Sequence, residues 1–250
     1  MAEPRILFFD IESTGLNATF GTILCIGSKW RGQKQVSVPT ILDSNKNMLD
    51  DKDLVTEFAK TWNEADYVVS WYGKRFDVPM IETKMLKHRL GPLAPKYHLD
   101  LWEAARKQFK LHSNRLAAFE QFLGTKDTKS AIDYDSWLRA AHGDRGAIRE
   151  VVDHCRRDVL VLEQVFDRLR PWLDKEPPRA LFTGEQDACP SCGSIHIERR
   201  GFKVAATRLY KQLHCADCGR WFRSVKAIAK SDYRGMAHSG STVKPPQRRF

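Results

Sequence analysis

Residues 5–14 read RILFFDIEST, an apolar run broken by two carboxylates, Asp10 and Glu12. Residues two apart in an extended strand project to the same side of a sheet, so the two acids stand side by side. Placing carboxylates together in an apolar strand is costly unless water or cations neutralise them. The strand either runs along a solvated sheet edge or lies beside bound cations, and residues elsewhere must decide between the two.

The surrounding pattern predicts an α/β fold. TILCIGSKW (22–30) and QVSVPTI (35–41) follow with turn residues between, predicting an opening three-stranded antiparallel meander. The period then changes, with Leu54, Val55, Phe58, Ala59 and Trp62 at the one-sided spacing of an amphipathic helix. YVVSWY (67–72) reads as a buried strand, VPMIETKMLKHRL (78–90) as a helix with Pro79 in its first turn, and YHLDL (97–101) as a fifth strand. From there to Leu173 the chain reads as helices broken near 113–114, 124–125 and 143–144. Strands first, then strand–helix alternation, predict a mixed five-stranded sheet flanked by helices.

Charge is placed unevenly within the net +10. Residues 1–182 hold 28 Lys and Arg against 26 Asp and Glu (+2), whereas residues 183–250 hold 13 against 5 (+8). A basic C-terminal quarter suits a polyanion, nucleic acid first, with an aid to solubility or a contact for acidic proteins as the lesser alternative. No apolar run follows basic residues at the start, and none approaches the ~20 residues that span a bilayer, so an intracellular, cytoplasmic location without membrane contact is expected. The expected organisation is a catalytic domain over 1–175, a proline-containing linker over 176–187, a small unit over 188–228 and a basic disordered tail over 229–250.

Two further acids bear on the Asp10–Glu12 question. Asp77 follows Gly73-Lys74-Arg75-Phe76 at a strand end, where α/β folds carry function, although it could simply cap the next helix. His154 and Asp158, in VVDHCRRDVL, are four apart and share a helix face, which suits either a common task or an ordinary surface pair.

Together FDIEST, WYGKRFDVPM and HCRRDVLVLEQV resemble the three motifs of the DEDD superfamily of 3′–5′ exonucleases, whose fold is RNase H-like, over about residues 4–173. YHLDLWEAARKQF and RLAAFEQFLG resemble connecting segments of the subgroup similar to family B polymerase proofreading domains. The resemblance implies two Mg²⁺ or Mn²⁺ ions. Asp10 would bridge both, Glu12 and Asp158 would complete the nucleophile-side site, and Asp77 would support the other. In the superfamily the last aspartate is preceded by a histidine at five residues or a tyrosine at four, and here His154 holds the tyrosine's spacing. It is expected to orient or deprotonate the attacking water, with Glu150 holding its second nitrogen. Lys74, Arg75 and Phe76, with Trp71 and Tyr72 nearby, are expected to meet the terminal nucleotide.

The pairs Cys189/Cys192 and Cys215/Cys218 each form a C-x-x-C turn followed by glycine. Two such turns joined by a hairpin aim four sulfurs at one point and resemble a zinc ribbon, with one structural Zn²⁺; redox dithiols or disulfides are the competing readings. Cys25 and Cys155 read as packed or free thiols. Arg220, Trp221, Phe222 and Arg223, after the last knuckle, mix bases and aromatics as single-strand binders do. The expected function is metal-dependent 3′–5′ exonuclease cleavage of single-stranded DNA, RNA being left open, with a replication or repair protein as a possible partner. A structure-specific endonuclease on the same fold, and a non-catalytic nucleic-acid-binding or assembly module, are the alternatives.

Overall fold

The computed structural model describes residues 3–44, 47–125, 132–177, 179–185 and 187–229. The chain divides into two compact units, one over Pro4–Leu169 and one from Arg170 onward.

In the first unit, β1 (Ile6–Ser13) pairs antiparallel with β2 (Ile23–Trp30) and parallel with β3 (Tyr67–Ser70). β4 (Tyr97–Asp100) extends the sheet parallel to β3, giving the order β2-β1-β3-β4. The β1–β3 ladder stops at Phe8, whereas the β1–β2 ladder continues to Ser13. Asp10 and Glu12 therefore lie on a strand that is central at its start and open along one edge at its end, so the sheet-edge alternative posed by the sequence holds there.

Among the described residues the sheet has four strands, not the five expected. Residues 35–41 make only the isolated bridges Ser28↔Ser37 and Cys25↔Thr40. Pro39 lacks the N–H that a continuous ladder needs there.

The helices are α1 (Ile41–Ser44), α2 (Lys52–Asn63), α3 (Asp77–Lys87), α4 (Leu101–Gln108), α5 (Leu116–Leu123), α6 (Tyr134–Ala141) and α7 (Arg145–Leu169). Strand alternation sends successive β1 side chains to opposite layers. Phe9 packs on Phe58 and Trp62 of α2, with ring centroids 5.3 and 5.6 Å away, while Phe8 meets Phe166 of α7 edge-on at 5.3 Å. Asp10 and Glu12 continue the Phe8 side, toward α7. Asp144 caps α7 by accepting from the Ala147 N–H at 2.8 Å.

The second unit holds a short helix α8 (Ala180–Thr183) and an antiparallel sheet of β5 (Ile197–Ala205), β6 (Arg208–Cys215) and β7 (Trp221–Ala227), in that order. A buried charge cluster ties its segments together. Glu176 accepts from Arg170 Nε and from Arg220 Nη1, each at 2.8 Å. Arg220 also donates to the Ser191 hydroxyl and the Arg170 carbonyl, and Arg170 to the Pro190 carbonyl. At 3 % exposure Arg220 has no surface to offer a polynucleotide, so its expected nucleic-acid contact does not hold. The tail expected to be disordered lies beyond Ala229, outside the described residues. Among the described residues no helix is long and apolar enough to cross a membrane.

Glu176 is the one acid between two buried guanidinium groups, and its removal leaves like charges facing each other without compensation. Glu176→Ala is expected to destabilise the second unit by about 3–5 kcal/mol. Faster amide hydrogen exchange across β6 in the full chain, with β1 protection retained, is the measurement that checks it.

Candidate active site

Three elements converge at the open end of β1. Along β1, Asp10 lies opposite Gly27 and Glu12 opposite Cys25 of β2, so both acids share the face covered by α7. A β-carbon on Gly27 would lie 2.7 Å from Cys155 Sγ and 2.9 Å from a Val159 methyl. Gly27 is thus a position where α7 approaches the sheet too closely for any side chain. Cys155, fully buried, directs its thiol to the Asp10 carbonyl at 3.6 Å. Its hydrogen bond with Cys25, followed by burial, pushes the Cys155 thiol well up, so it stays protonated as a packing group.

This contact sets where the next helical turns fall. His154 Nε2 lies 3.6 Å from Glu12 Oε1 and 4.0 Å from Asp158 Oδ2. One ligand-capable atom from each of Glu12, His154 and Asp158 lies within 4.8 Å of the others, and Asp10, Glu12 and Cys155 form a second such group. Glu150, expected behind His154, instead accepts from the Ser136 hydroxyl at 2.7 Å.

Asp77 approaches from the opposite side of β1. Its Oδ1 accepts the Ile11 N–H at 3.1 Å, between the two β1 acids, where no strand supplies a partner on that edge. Phe76 precedes α3, and no side-chain capping bond is made there; the Asp77 carboxylate spans to β1. Burial pushes its carboxyl up to about 7, with the hydrogen bonds from its own backbone N–H and that of Ile11 pulling the other way and nearby Asp100 adding to the rise. Neighbouring cations would offset that burial penalty, and oxygen donors are what Mg²⁺ or Mn²⁺ takes, so the donor set fits such ions.

The turn before Asp77 is held by an acid that sequence reasoning passed over. Asp100, 2 % exposed, accepts from the backbone N–H groups of Tyr72, Lys74 and Trp102 at 2.9, 3.1 and 3.0 Å. It thereby caps α4 and stabilises Tyr72 at φ 71°, a conformation rare outside glycine. The signal was present: an aspartate at the end of YHLD directly before a helical run is a capping position. Burial raises the Asp100 carboxyl, and the three backbone bonds oppose that rise.

A cavity of about 800 Å³ opens beside the acids, lined by Asp10, Asp158, Trp71, Tyr72, Trp102 and Arg115 among others. Tyr72 meets Trp102 edge-on at 4.8 Å, and Arg75 sits over the Trp102 ring at 5.4 Å. Lys74 pairs with Glu103 at 2.9 Å. Phe76 is half-buried against the core, which weakens the expectation that it meets a nucleotide. Trp102 and Arg115, absent from the sequence-based set, line the cavity instead.

The four cysteines of the second unit also converge. Cys189 and Cys218 sulfurs lie 3.5 Å apart, and those of Cys192 and Cys215 3.6 Å. A disulfide needs about 2.05 Å, whereas four sulfurs ~2.3 Å from a tetrahedral Zn²⁺ stand about 3.8 Å apart. The knuckles are matched turns: Gly193 N–H bonds the Cys189 carbonyl at 2.9 Å and Gly219 N–H the Cys215 carbonyl at 3.0 Å. Both glycines have φ near 75°, the left-handed conformation glycine favours. The set fits zinc.

A β2-β1-β3-β4 sheet with helices on both faces, and acids where the first strand opens opposite His154 and Asp158 of a late helix, defines an RNase H-like fold. The family model described as RNase_H superfamily matches residues 7–170, and the chain belongs to that superfamily. Membership supports nuclease activity in general. A solved family B DNA polymerase from the hyperthermophilic archaeon Pyrobaculum calidifontis shares the fold with TM-score 0.52 and 17 % identity. The match covers 68 % of this chain and 25 % of the polymerase, so this chain spans a minor part of that protein's length. No curated protein matches the sequence.

Gly27→Ala is expected to lower stability by about 1–3 kcal/mol, because the added methyl meets Cys155 and Val159 inside normal contact. Denaturant unfolding of Gly27→Ala, Cys155→Ala and the double variant checks this. The double variant should recover part of the loss as a coupling energy.

Proposed function

We propose that the chain is a metal-dependent 3′–5′ exonuclease that hydrolyses single-stranded DNA. The observation that carries this reading is the meeting of Asp10, Glu12, His154 and Asp158 beside an open, aromatic-walled cavity. Direction of attack rests on the resemblance of the three motifs to DEDD exonucleases, and the choice of DNA on the fold shared with a DNA polymerase.

Asp10, Glu12, Asp77 and Asp158 hold two Mg²⁺ or Mn²⁺ ions. When bound, such ions stabilise the negative charge that develops on phosphorus and on the leaving oxygen. His154 Nε2, on the side of Glu12 and Asp158, orients the attacking water and receives its proton. Trp71, Tyr72 and Trp102 flank the terminal base, and Arg75 and Arg115 face the phosphates. The cysteine cluster holds one structural Zn²⁺ and makes β5–β7 a zinc ribbon. Replication or repair machinery is the expected setting for a partner protein.

With Mg²⁺ or Mn²⁺, 5′-labelled single-stranded DNA should give a descending ladder, and Asp10→Ala should abolish it. An RNA oligonucleotide run in parallel reads sugar preference, and cleavage of a circular strand would reassign the enzyme as an endonuclease. His154→Ala should lose about 10²–10⁴ in rate while Mn²⁺ affinity stays near wild type; equal rates would remove the histidine from the mechanism. Metal analysis should find one zinc per chain, and Cys192→Ser/Cys218→Ser should lose it.

A further inference from the structure

The segment after the last knuckle does not act as one patch. Directly paired residues of neighbouring strands share a sheet face. Glu198 pairs with His214 and His214 with Trp221, while Gln212 pairs with Arg223 and Tyr210 with Lys203. Since Tyr210, Gln212 and His214 alternate along β6, all of these lie on one face. Leu213 and Cys215, both buried, lie on the other, together with Phe222, which pairs with Leu213. Of the four residues singled out in the sequence, Arg220 is buried, Phe222 faces away, and Trp221 and Arg223 remain.

On their face these two are already paired with aromatic rings. Trp221, 56 % exposed, lies against the His214 ring at 4.7 Å, and the Arg223 guanidinium lies over Tyr210 at 4.1 Å. Each pair fixes a flat group against a backing ring, which lowers the entropy lost when a further flat group stacks on it. The three strands carry seven Lys and Arg against one acid, Glu198. Glu198 accepts from Arg200 at 2.8 Å and faces His214 at 3.3 Å, so its charge is offset locally.

We propose that this face, built around Trp221 and Arg223 with His214 and Tyr210 behind them, binds single-stranded nucleic acid. The choice of polymer rests on the proposed nuclease reading. Exposed aromatic planes interleaved with cations suit unpaired bases and their phosphates, whereas an acidic protein would need the charge alone.

The test uses the full chain carrying Asp10→Ala, so that the probe is not cut, and reads fluorescence anisotropy of a labelled thymidine 30-mer. Trp221→Ala should raise Kd at least about fivefold, the low end for loss of one stacked base. Trp221→Phe should bind close to the parent. Arg223→Ala should weaken binding and reduce the slope of log K against log salt by about 0.7. Val204→Ala, exposed and on the other face through its pairing with Leu209, should leave Kd unchanged. A Kd within twofold of the parent for Trp221→Ala, or an equal loss for Val204→Ala, overturns the proposal. So does displacement of the oligonucleotide by poly-L-glutamate at equal charge concentration, which would assign the face to acidic proteins. The nuclease reading is judged separately, by the ladder from protein retaining Asp10: a ladder with unchanged Kd fells only this surface, and lost binding without a ladder fells only the nuclease.

Discussion

The close packing of α7 on β2 at Gly27 is the contact on which the candidate site depends. A helix carries His154 and Asp158 on one face by periodicity, but periodicity does not say what that face meets. Removing one side chain from β2 lets Cys155 and Val159 reach the sheet, and the same approach brings the turns bearing His154 and Asp158 toward Glu12. Protein interiors are dense enough that a methyl-sized intrusion at such a point must move the helix or its neighbours.

The second constraint is the early end of the β1–β3 ladder. A strand edge with no neighbour leaves N–H groups that must be satisfied, and the Ile11 N–H is satisfied by the Asp77 carboxylate. One buried acid thus closes a gap in the sheet and is placed between Asp10 and Glu12 in doing so. Asp100 performs the complementary task, gathering the 72–74 turn and the start of α4 with one carboxylate. Loops at the carboxyl ends of parallel strands are where α/β sheets place ligands, and here backbone bonds to two acids fix that loop from both ends.

Much of this was legible beforehand because it depends on local periodicity. Alternation in RILFFDIEST placed Asp10 and Glu12 on one side, and the i,i+4 spacing put His154 with Asp158; the helix breaks also fell near 113, 124 and 143. Contacts between elements distant in sequence were not legible. A glycine in ILCIGSKW has no mark that distinguishes close approach from mere tolerance, and Glu150 looked available to His154 only because the partner on α6, Ser136, is invisible to helix spacing. Strand propensity also overreached at QVSVPTI, where pairing is reduced to isolated bridges. Arg220 shows the same limit from the other side, since an arginine beside Trp221 reads as surface until the buried Glu176 is known.

The two units bury charge for different ends. In the second, Glu176 is satisfied by two guanidinium groups, and Arg170 and Arg220 donate further to carbonyls and a serine hydroxyl, although the buried Arg220 Nε makes no hydrogen bond among the described residues; the cluster joins its segments in one arrangement. In the first, Asp77 is held by backbone N–H groups, which pull its carboxyl down but do not overcome the burial that pushes it up to about 7. Backbone donors fix position without cancelling charge, whereas a guanidinium does both. The backbone partners of Asp77 therefore fix its carboxylate without neutralising it, whereas Arg170 and Arg220 both fix and neutralise Glu176.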